Sequence, residues 1–269
     1  MRFSPFNPVI FGNSPRDCFP HVFSTEDNIM LECFKKRTEE MPPLSLEGAD
    51  GTYSLSWNSV PFGDTDVVFY LLRDLEPGHY TLRCGNMTSN AVIVTDDKDI
   101  LSQTVLIQFC RNTNRDRSDI ATLINHSRYF FDLRIPGGFK DEGWDFSVDN
   151  EQFETIDADI VELYARDSTA KKLTIGTSAG VPAWFGEMVN RVLSCDLVYV
   201  DGERYSRLRE ATPEKVSEDV DGERFVYSIS LRQSQFTKPR DLKEEMLNRI
   251  ALRRTPDSLR HITSAWRKI

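Results

Sequence analysis

Gly176-Thr-Ser178-Ala-Gly180 matches G-x-S-x-G, the nucleophile elbow of serine hydrolases, in which a strand delivers a serine into a tight turn and a helix follows. The flanks fit that grammar. Leu173-Thr-Ile175 reads as a strand, and Trp184, Phe185, Met188, Val189, Val192 and Leu193 recur at the 3.6-residue period of an amphipathic helix. An activated serine also needs a histidine to take its proton and a carboxylate to orient that histidine. In hydrolase chain order the partners would be Asp196 or Asp201 and then His261, which sits in a basic tail rather than after a core strand. A simpler Ser178/Asp201 dyad would want a glycine-rich oxyanion loop before the serine, and the nearest, Pro136-Gly137-Gly138, runs into Phe139-Lys140. The competing reading is a β-to-α turn of small residues with Pro182 near the first helical turn, where a missing N–H costs nothing. Trp184, Phe185, Met188 and Val192 then anchor a buried helix.

Other residue groups carry weaker chemistry. The carboxylates Asp157/Asp159/Glu162 and Asp141/Glu142/Asp145 suggest a glycosidase pair or a calcium site. However, Asp157 and Asp159 fall on one face of a strand-like run, the usual pattern of a solvated face, and Asp145 to Glu151 lacks the glycine and ligand spacing of an EF-hand loop. Tyr53, Trp57 and Tyr70 could stack a sugar, although their strand spacing equally suits a core. Cys18, Cys33, Cys84, Cys110 and Cys195 are odd in number and form no C-x-x-C pair, so reduced thiols are expected. His21, His79, His126 and His261 show no zinc spacing. No catalytic residue, cofactor or metal is therefore assigned.

The elements that must position these residues follow from composition and pattern. With 39% apolar residues the chain can bury one large core or two modest ones, and no run approaches the ~20 apolar residues of a bilayer span. The N-terminus lacks the apolar core of a signal peptide, which points to a cytoplasmic site of synthesis and assembly. Of the net charge of −9, residues 238–269 contribute +5 from nine Lys/Arg against four Asp/Glu, leaving −14 on the preceding 237 residues. Such a body repels nucleic acid, while the tail can dock on an acidic neighbour.

Val9-Ile-Phe11, Asn28 to Phe34, Tyr53 to Trp57, Val67 to Leu72, Tyr80 to Cys84 and Asn90 to Thr95 read as short strands. Leu75-Glu-Pro-Gly-His-Tyr80 resembles the tyrosine corner of fibronectin type III and immunoglobulin-like sandwiches, and Ser54-Leu-Ser-Trp57 resembles their tryptophan-bearing strand. After a linker at Asp96 to Asp99, strands are expected at Thr104 to Cys110, Tyr129 to Ile135 (ended by Pro136-Gly137-Gly138), Ala158 to Tyr164, Leu173 to Ile175, Leu197 to Val200 and Arg224 to Arg232. The Asp201-Gly202 dipeptide suits a two-residue hairpin turn. Leu242, Met246 and Ile250, and then Leu259, Ile262 and Trp266, predict two helices in the tail. The expected fold is mainly β (α+β): an Ig-like β-sandwich over 1–97, a mainly antiparallel β domain with one central helix over 98–236, and a basic helical arm over 237–269.

Thr104-Val-Leu-Ile-Gln108, Tyr129-Phe-Phe-Asp-Leu-Arg-Ile-Pro-Gly-Gly-Phe-Lys140, Asn150-Glu-Gln-Phe153, Asp159-Ile-Val-Glu-Leu-Tyr164, Leu173-Thr-Ile-Gly176, Val181-Pro-Ala-Trp184, Asn190 to Cys195, Val198-Tyr-Val-Asp-Gly202 and Tyr205 resemble virion structural proteins of tailed phages and prophages of Bacteroides-type hosts, including crAss-like phages. The resemblance implies a non-enzymatic tail, neck or baseplate subunit, assembled in the bacterial host cytoplasm. Its partners would be copies of itself in a ring and neighbouring tail, neck or portal proteins, with no membrane, specific nucleic acid or small-molecule substrate. Loops at Arg111 to Asp119 and Lys140 to Asp149 are expected to reach those neighbours. A serine hydrolase at Ser178 and a carbohydrate-binding module stay as alternatives.

Overall fold

Ile29-Met-Leu-Glu-Cys-Phe34 has apolar residues on both faces of a strand, so it has to be covered twice. In the computed structural model it is the strand on which the two halves of the chain meet. The structure describes residues 1–12, 19–115, 117–124, 127–208, 211–218 and 223–234. The tail read as a basic helical arm, 237–269, lies outside the described residues, as do Cys18, His126 and His261.

The first half comprises β1 (Arg2–Phe3), β2 (Phe11–Gly12), β3 (His21–Ser24), β4 (Ile29–Lys36), β5 (Leu44–Gly48), β6 (Gly51–Leu55), β7 (Asn58–Phe62), β8 (Thr65–Leu72), β9 (Gly78–Cys84), β10 (Met87–Ser89) and β11 (Val92–Thr95). One sheet has the order β1-β4-β8-β7. In the second, β9 lies between β5 and the β10/β11 pair, β6 flanks β5, and β3 runs parallel to β11. Ile29, Leu31, Tyr70 and Leu72 from the first sheet meet Leu44, Leu46, Tyr80, Leu82, Val92 and Val94 from the second in a shared core. Five strands of this half escape the sequence reading: β1, β3, β5, β10, and β7, whose Pro61 is tolerated because β7 is an edge strand. Trp57 lies beyond the end of β6, half-buried, and donates Nε1–H to the Pro42 carbonyl at 3.1 Å. It is therefore not the core residue of a strand that its sequence context suggested.

The second half starts with the one-turn helix α1 (Lys98–Leu101), whose N-cap Asp97 accepts the backbone N–H groups of Asp99 and Ile100. There follow β12 (Thr104–Cys110), β13 (Leu123–Ile124), β14 (Ser127–Arg128), β15 (Phe131–Glu154), β16 (Ile160–Ile175), β17 (Val181–Pro182), α2 (Ala183–Val192), β18 (Leu197–Val200), β19 (Glu203–Arg207), β20 (Glu214–Glu218) and β21 (Arg224–Gln233). Pairings run β15-β12-β18-β19-β21-β16 and return to β15, so the sheet closes on itself as a six-stranded antiparallel barrel. Ile107, Phe109, Phe131, Leu133, Leu173, Ile229 and Leu231 share its core with Phe185, Met188, Val189 and Val192 of α2. The Asp201-Gly202 turn between β18 and β19 has φ of 48° and 84°, the left-handed pair that a two-residue hairpin requires.

Pro136-Gly137-Gly138 does not end a strand, contrary to the sequence expectation. At Gly137 (φ 112°) β15 leaves β12 and carries on against β16, and Gly137 N–H donates to the Gln103 carbonyl at 2.9 Å. A Cβ at this position would sit 2.2 Å from the Thr174 carbonyl oxygen, so only glycine fits. For the same reason the expected strands Ala158 to Tyr164 and Leu173 to Ile175 are parts of one strand, β16, beginning at Ile160.

The two halves share side chains. Phe6, Met30, Phe69 and Leu71 pack into the barrel's cluster, and Phe19 and His21 place their rings 5.1 and 5.0 Å from Phe185 of α2. Arg134 on β15 pairs bidentately with the buried Asp27 at 2.6 and 2.8 Å, and Asp132 accepts the Asn28 N–H at 2.9 Å and Gln108 Nε2–H at 2.9 Å. Glu32 on β4 has no exposed surface, and its carboxyl oxygens take the Ala121 N–H at 3.1 and 3.2 Å. The end of the segment expected to reach neighbours is tied to the N-terminus: Arg2 donates to the Ser118 carbonyl at 2.9 Å and Ser4 Oγ to the Asp119 carbonyl at 2.7 Å.

Candidate functional site

Ser178 lies exposed in a turn between β16 and β17, closed by Gly180 N–H donating to the Thr177 carbonyl at 2.9 Å. The helix α2 begins only at Ala183, after the short strand β17, so the serine is not delivered onto a helix N-terminus as an elbow would deliver it. The two carboxylates that chain order offered are engaged by backbone elsewhere. Asp196 accepts Asn112 N–H at 2.9 Å and Asp201 accepts Leu106 N–H at 2.9 Å, and burial holds the Asp201 carboxyl above its usual range. Among the described residues, none of His21, His79, Asp196 and Asp201 hydrogen-bonds Ser178. His21 is enclosed by Phe19, Phe23, Trp184 and Phe185, and burial lowers its pKa to about 3, so it is a neutral core ring.

The remaining candidates are also dispersed. Tyr70 points into the sandwich core, where desolvation pushes its hydroxyl up to about 12, and Tyr53 and Trp57 are half-buried, so the three make no shared exposed platform. Asp157, Asp159 and Glu162 are exposed at the tip of a hairpin, and no group of three metal-ligating side chains converges among the described residues. No described helix is long and apolar enough to cross a membrane.

What the sequence reading missed is the hairpin itself. Beyond Gly138 on β15 and Ala170 on β16 the two strands pair only with each other, through Glu154 opposite Ile160. The ribbon from Trp144 to Glu154 is about 35 Å long at a strand's ~3.3 Å rise per residue. Residues directly opposite in an antiparallel pair share a face. Trp144, Phe146 and Val148 therefore stand in one row, opposite Lys171, Thr169 and Asp167, with the Ser147–Ser168 hydroxyl pair (2.7 Å) on the reverse face. Phe146 is 74% exposed and Val148 60%, while the Trp144 ring lies 6.0 Å from that of Phe146 with Lys171 Nζ 4.3 Å over it. Nearer the tip Phe153 and Val161 oppose each other, both exposed.

The tip is a built turn. Thr155 N–H donates to the Asp159 carbonyl at 2.8 Å, Asp159 N–H to Thr155 Oγ at 3.1 Å, and Ala158 takes φ 60°, leaving Ile156 fully exposed. A two-stranded ribbon is at best marginally stable by itself in water, and edges with no neighbouring strand beside exposed aromatic and β-branched residues are templates for association. Neither outer edge of this ribbon has a neighbouring strand among the described residues. The alternation in Trp144-Asp-Phe-Ser-Val148 is the available signal, masked in the sequence by Pro136-Gly137-Gly138, whose residue types are those of a strand terminator.

No protein-family model matches this chain, and no curated protein or solved structure matches it.

Proposed function

We propose that this chain is a structural subunit of a tailed-phage virion, a tail or neck component that assembles into a ring of copies through its β15–β16 hairpin. The observation that carries the reading is that hairpin: a projecting ribbon with exposed apolar rows and no covering element among the described residues, on a body whose potential catalytic groups are separated or engaged elsewhere. Head-to-tail rings join unlike surfaces, which suits a subunit with one protruding element. The sequence resemblance to virion structural proteins supports the same reading, as does an acidic body that disfavours nucleic acid. The ring would contact neighbouring tail, neck or portal proteins in a particle assembled in the host cytoplasm.

In the same reading the N-terminal sandwich is immunoglobulin-like. Its support is the strand order β1-β4-β8-β7 against β6-β5-β9-β10/β11, a parallel β3–β11 pairing, and Tyr80 on β9, whose hydroxyl donates to the Glu76 carbonyl at 2.8 Å.

Sedimentation of the full chain tests the proposal. The wild type is expected to form a discrete closed oligomer, and Phe146→Asp with Val148→Asp to return it to monomer without lowering its melting temperature. A wild-type chain that stays monomeric at high concentration, or a double variant that assembles undiminished, overturns it.

A further inference from the structure

We infer that the hairpin of one copy is the docking site for the basic segment 238–269 of the next copy. This rests on the assembly reading above and names the partner surface. Over the paired ribbon, residues 144–171, eight Asp/Glu stand against two basic residues, Arg166 and Lys171, so each ribbon carries a net charge of −6, with the run 145–165 free of Lys and Arg. Two such ribbons repel, which disfavours a symmetric hairpin-to-hairpin contact and calls for an unlike, basic partner. Over residues 1–237 the chain nets −14, and the stretch with the opposite sign is 238–269, at +5.

Spacing agrees with charge. The segment's Leu242, Met246 and Ile250 recur at i, i+4 and i+8, the pattern of a helical stripe, with Lys243, Arg249, Arg253 and Arg254 around them. Four residues of helix advance about 6 Å, and two residues of strand about 6.6 Å. Three apolar side chains on such a helix therefore keep step with the Trp144, Phe146 and Val148 row over its whole length, and its basic residues would meet the exposed carboxylates beyond that row towards the tip, Glu154, Asp157, Asp159 and Glu162. Because the ribbon extends away from its own body, contact with a neighbour's tail joins copies head to tail and leaves a hairpin and a tail for the next joint at either end.

Charge reversal tests this with full-length chains. One variant carries Glu151→Lys, Glu154→Lys and Glu162→Lys, all at exposed hairpin positions; the other carries Arg249→Glu, Arg253→Glu and Arg254→Glu. Each alone is expected to sediment as monomer with an unchanged melting midpoint. An equimolar mixture should leave the monomer and reassemble with the two chains alternating, since each hairpin then meets a tail of opposite sign, and rising salt should dissolve the wild-type assembly. A tail-reversed variant that assembles like wild type overturns this inference while leaving hairpin-mediated assembly standing, as does a mixture that stays monomeric. A chain with all six reversals that alone regains the wild-type mass agrees with the inference. Reassembly of the six-reversal chain with a mixture that stays monomeric places the tail on its own hairpin and overturns it. Wild-type monomer refutes the assembly reading itself.

Discussion

Replacing Glu32 by Gln should abolish a large pH dependence of stability that originates where the two halves meet. Desolvation by complete burial is the main cause that raises this carboxyl from 4.5 to about 8, with the nearby Asp119 charge adding to it, while the Ala121 N–H and the Ser4 hydroxyl pull it down. The fold thus favours the protonated, neutral form. Below pH 4.5 the acid is protonated in both folded and unfolded chains, and its contribution is fully present. Between 4.5 and about 8 the unfolded chain releases its proton and the folded one retains it, so stability falls as pH rises and levels off above about 8. At about 1.36 kcal/mol per pH unit the loss across this window has a ceiling of roughly 5 kcal/mol. Local opening that lets water reach the carboxylate would reduce it. Gln is the neutral isostere and can still accept the Ala121 N–H. The advantage of Glu32→Gln over wild type, measured by urea unfolding, should therefore grow by several kcal/mol from about pH 5 to about pH 9, all other titrations cancelling in the difference. An advantage that does not change with pH would show that Glu32 is hydrated or charged in the folded protein, and would refute the argument.

Four further substitutions separate core, backbone and surface. Phe185→Ala should destabilise by about 3–5 kcal/mol in thermal or urea unfolding, since its side chain is fully buried between α2, the barrel and Phe19, and Trp184→Ala, at a half-buried position, should cost less. Gly137→Ala should lower the melting temperature sharply, with a loss of about 3 kcal/mol or more, because the new Cβ meets backbone oxygen at a positive φ. Ser178→Ala should change stability by less than about 0.5 kcal/mol, and a fluorophosphonate probe should leave Ser178 unlabelled; covalent labelling would reopen the hydrolase reading.

Most strands were legible because their residues satisfy local rules. Thr104 to Cys110 is β-branched and apolar enough to be a strand whatever surrounds it, Asp201-Gly202 is good turn chemistry, and the stripe from Phe185 to Leu193 suits a helix laid on an apolar surface. Trp184, expected among the anchors, packs on Phe19, His21 and Phe185 but stays half-buried, because period alone does not say where the edge of the buried stripe falls.

What only tertiary structure decided involves residues whose meaning depends on a distant partner. Gly137 is a turn former by type, but the Thr174 carbonyl beside it makes it a crossing point within a strand, and that converts a short strand and a loop into one arm. Glu32 belongs on a surface by type, but β4 is covered on both faces, so its carboxyl is enclosed against Ala121. Barrel closure depends on β21 meeting β16, and the separation of Ser178 from the carboxylates that chain order offered depends on Asp196 and Asp201 being held by Asn112 and Leu106. Residue type and period fix the local conformation; which face is buried, where a strand ends and which polar groups are engaged are set by contacts between segments far apart in the chain.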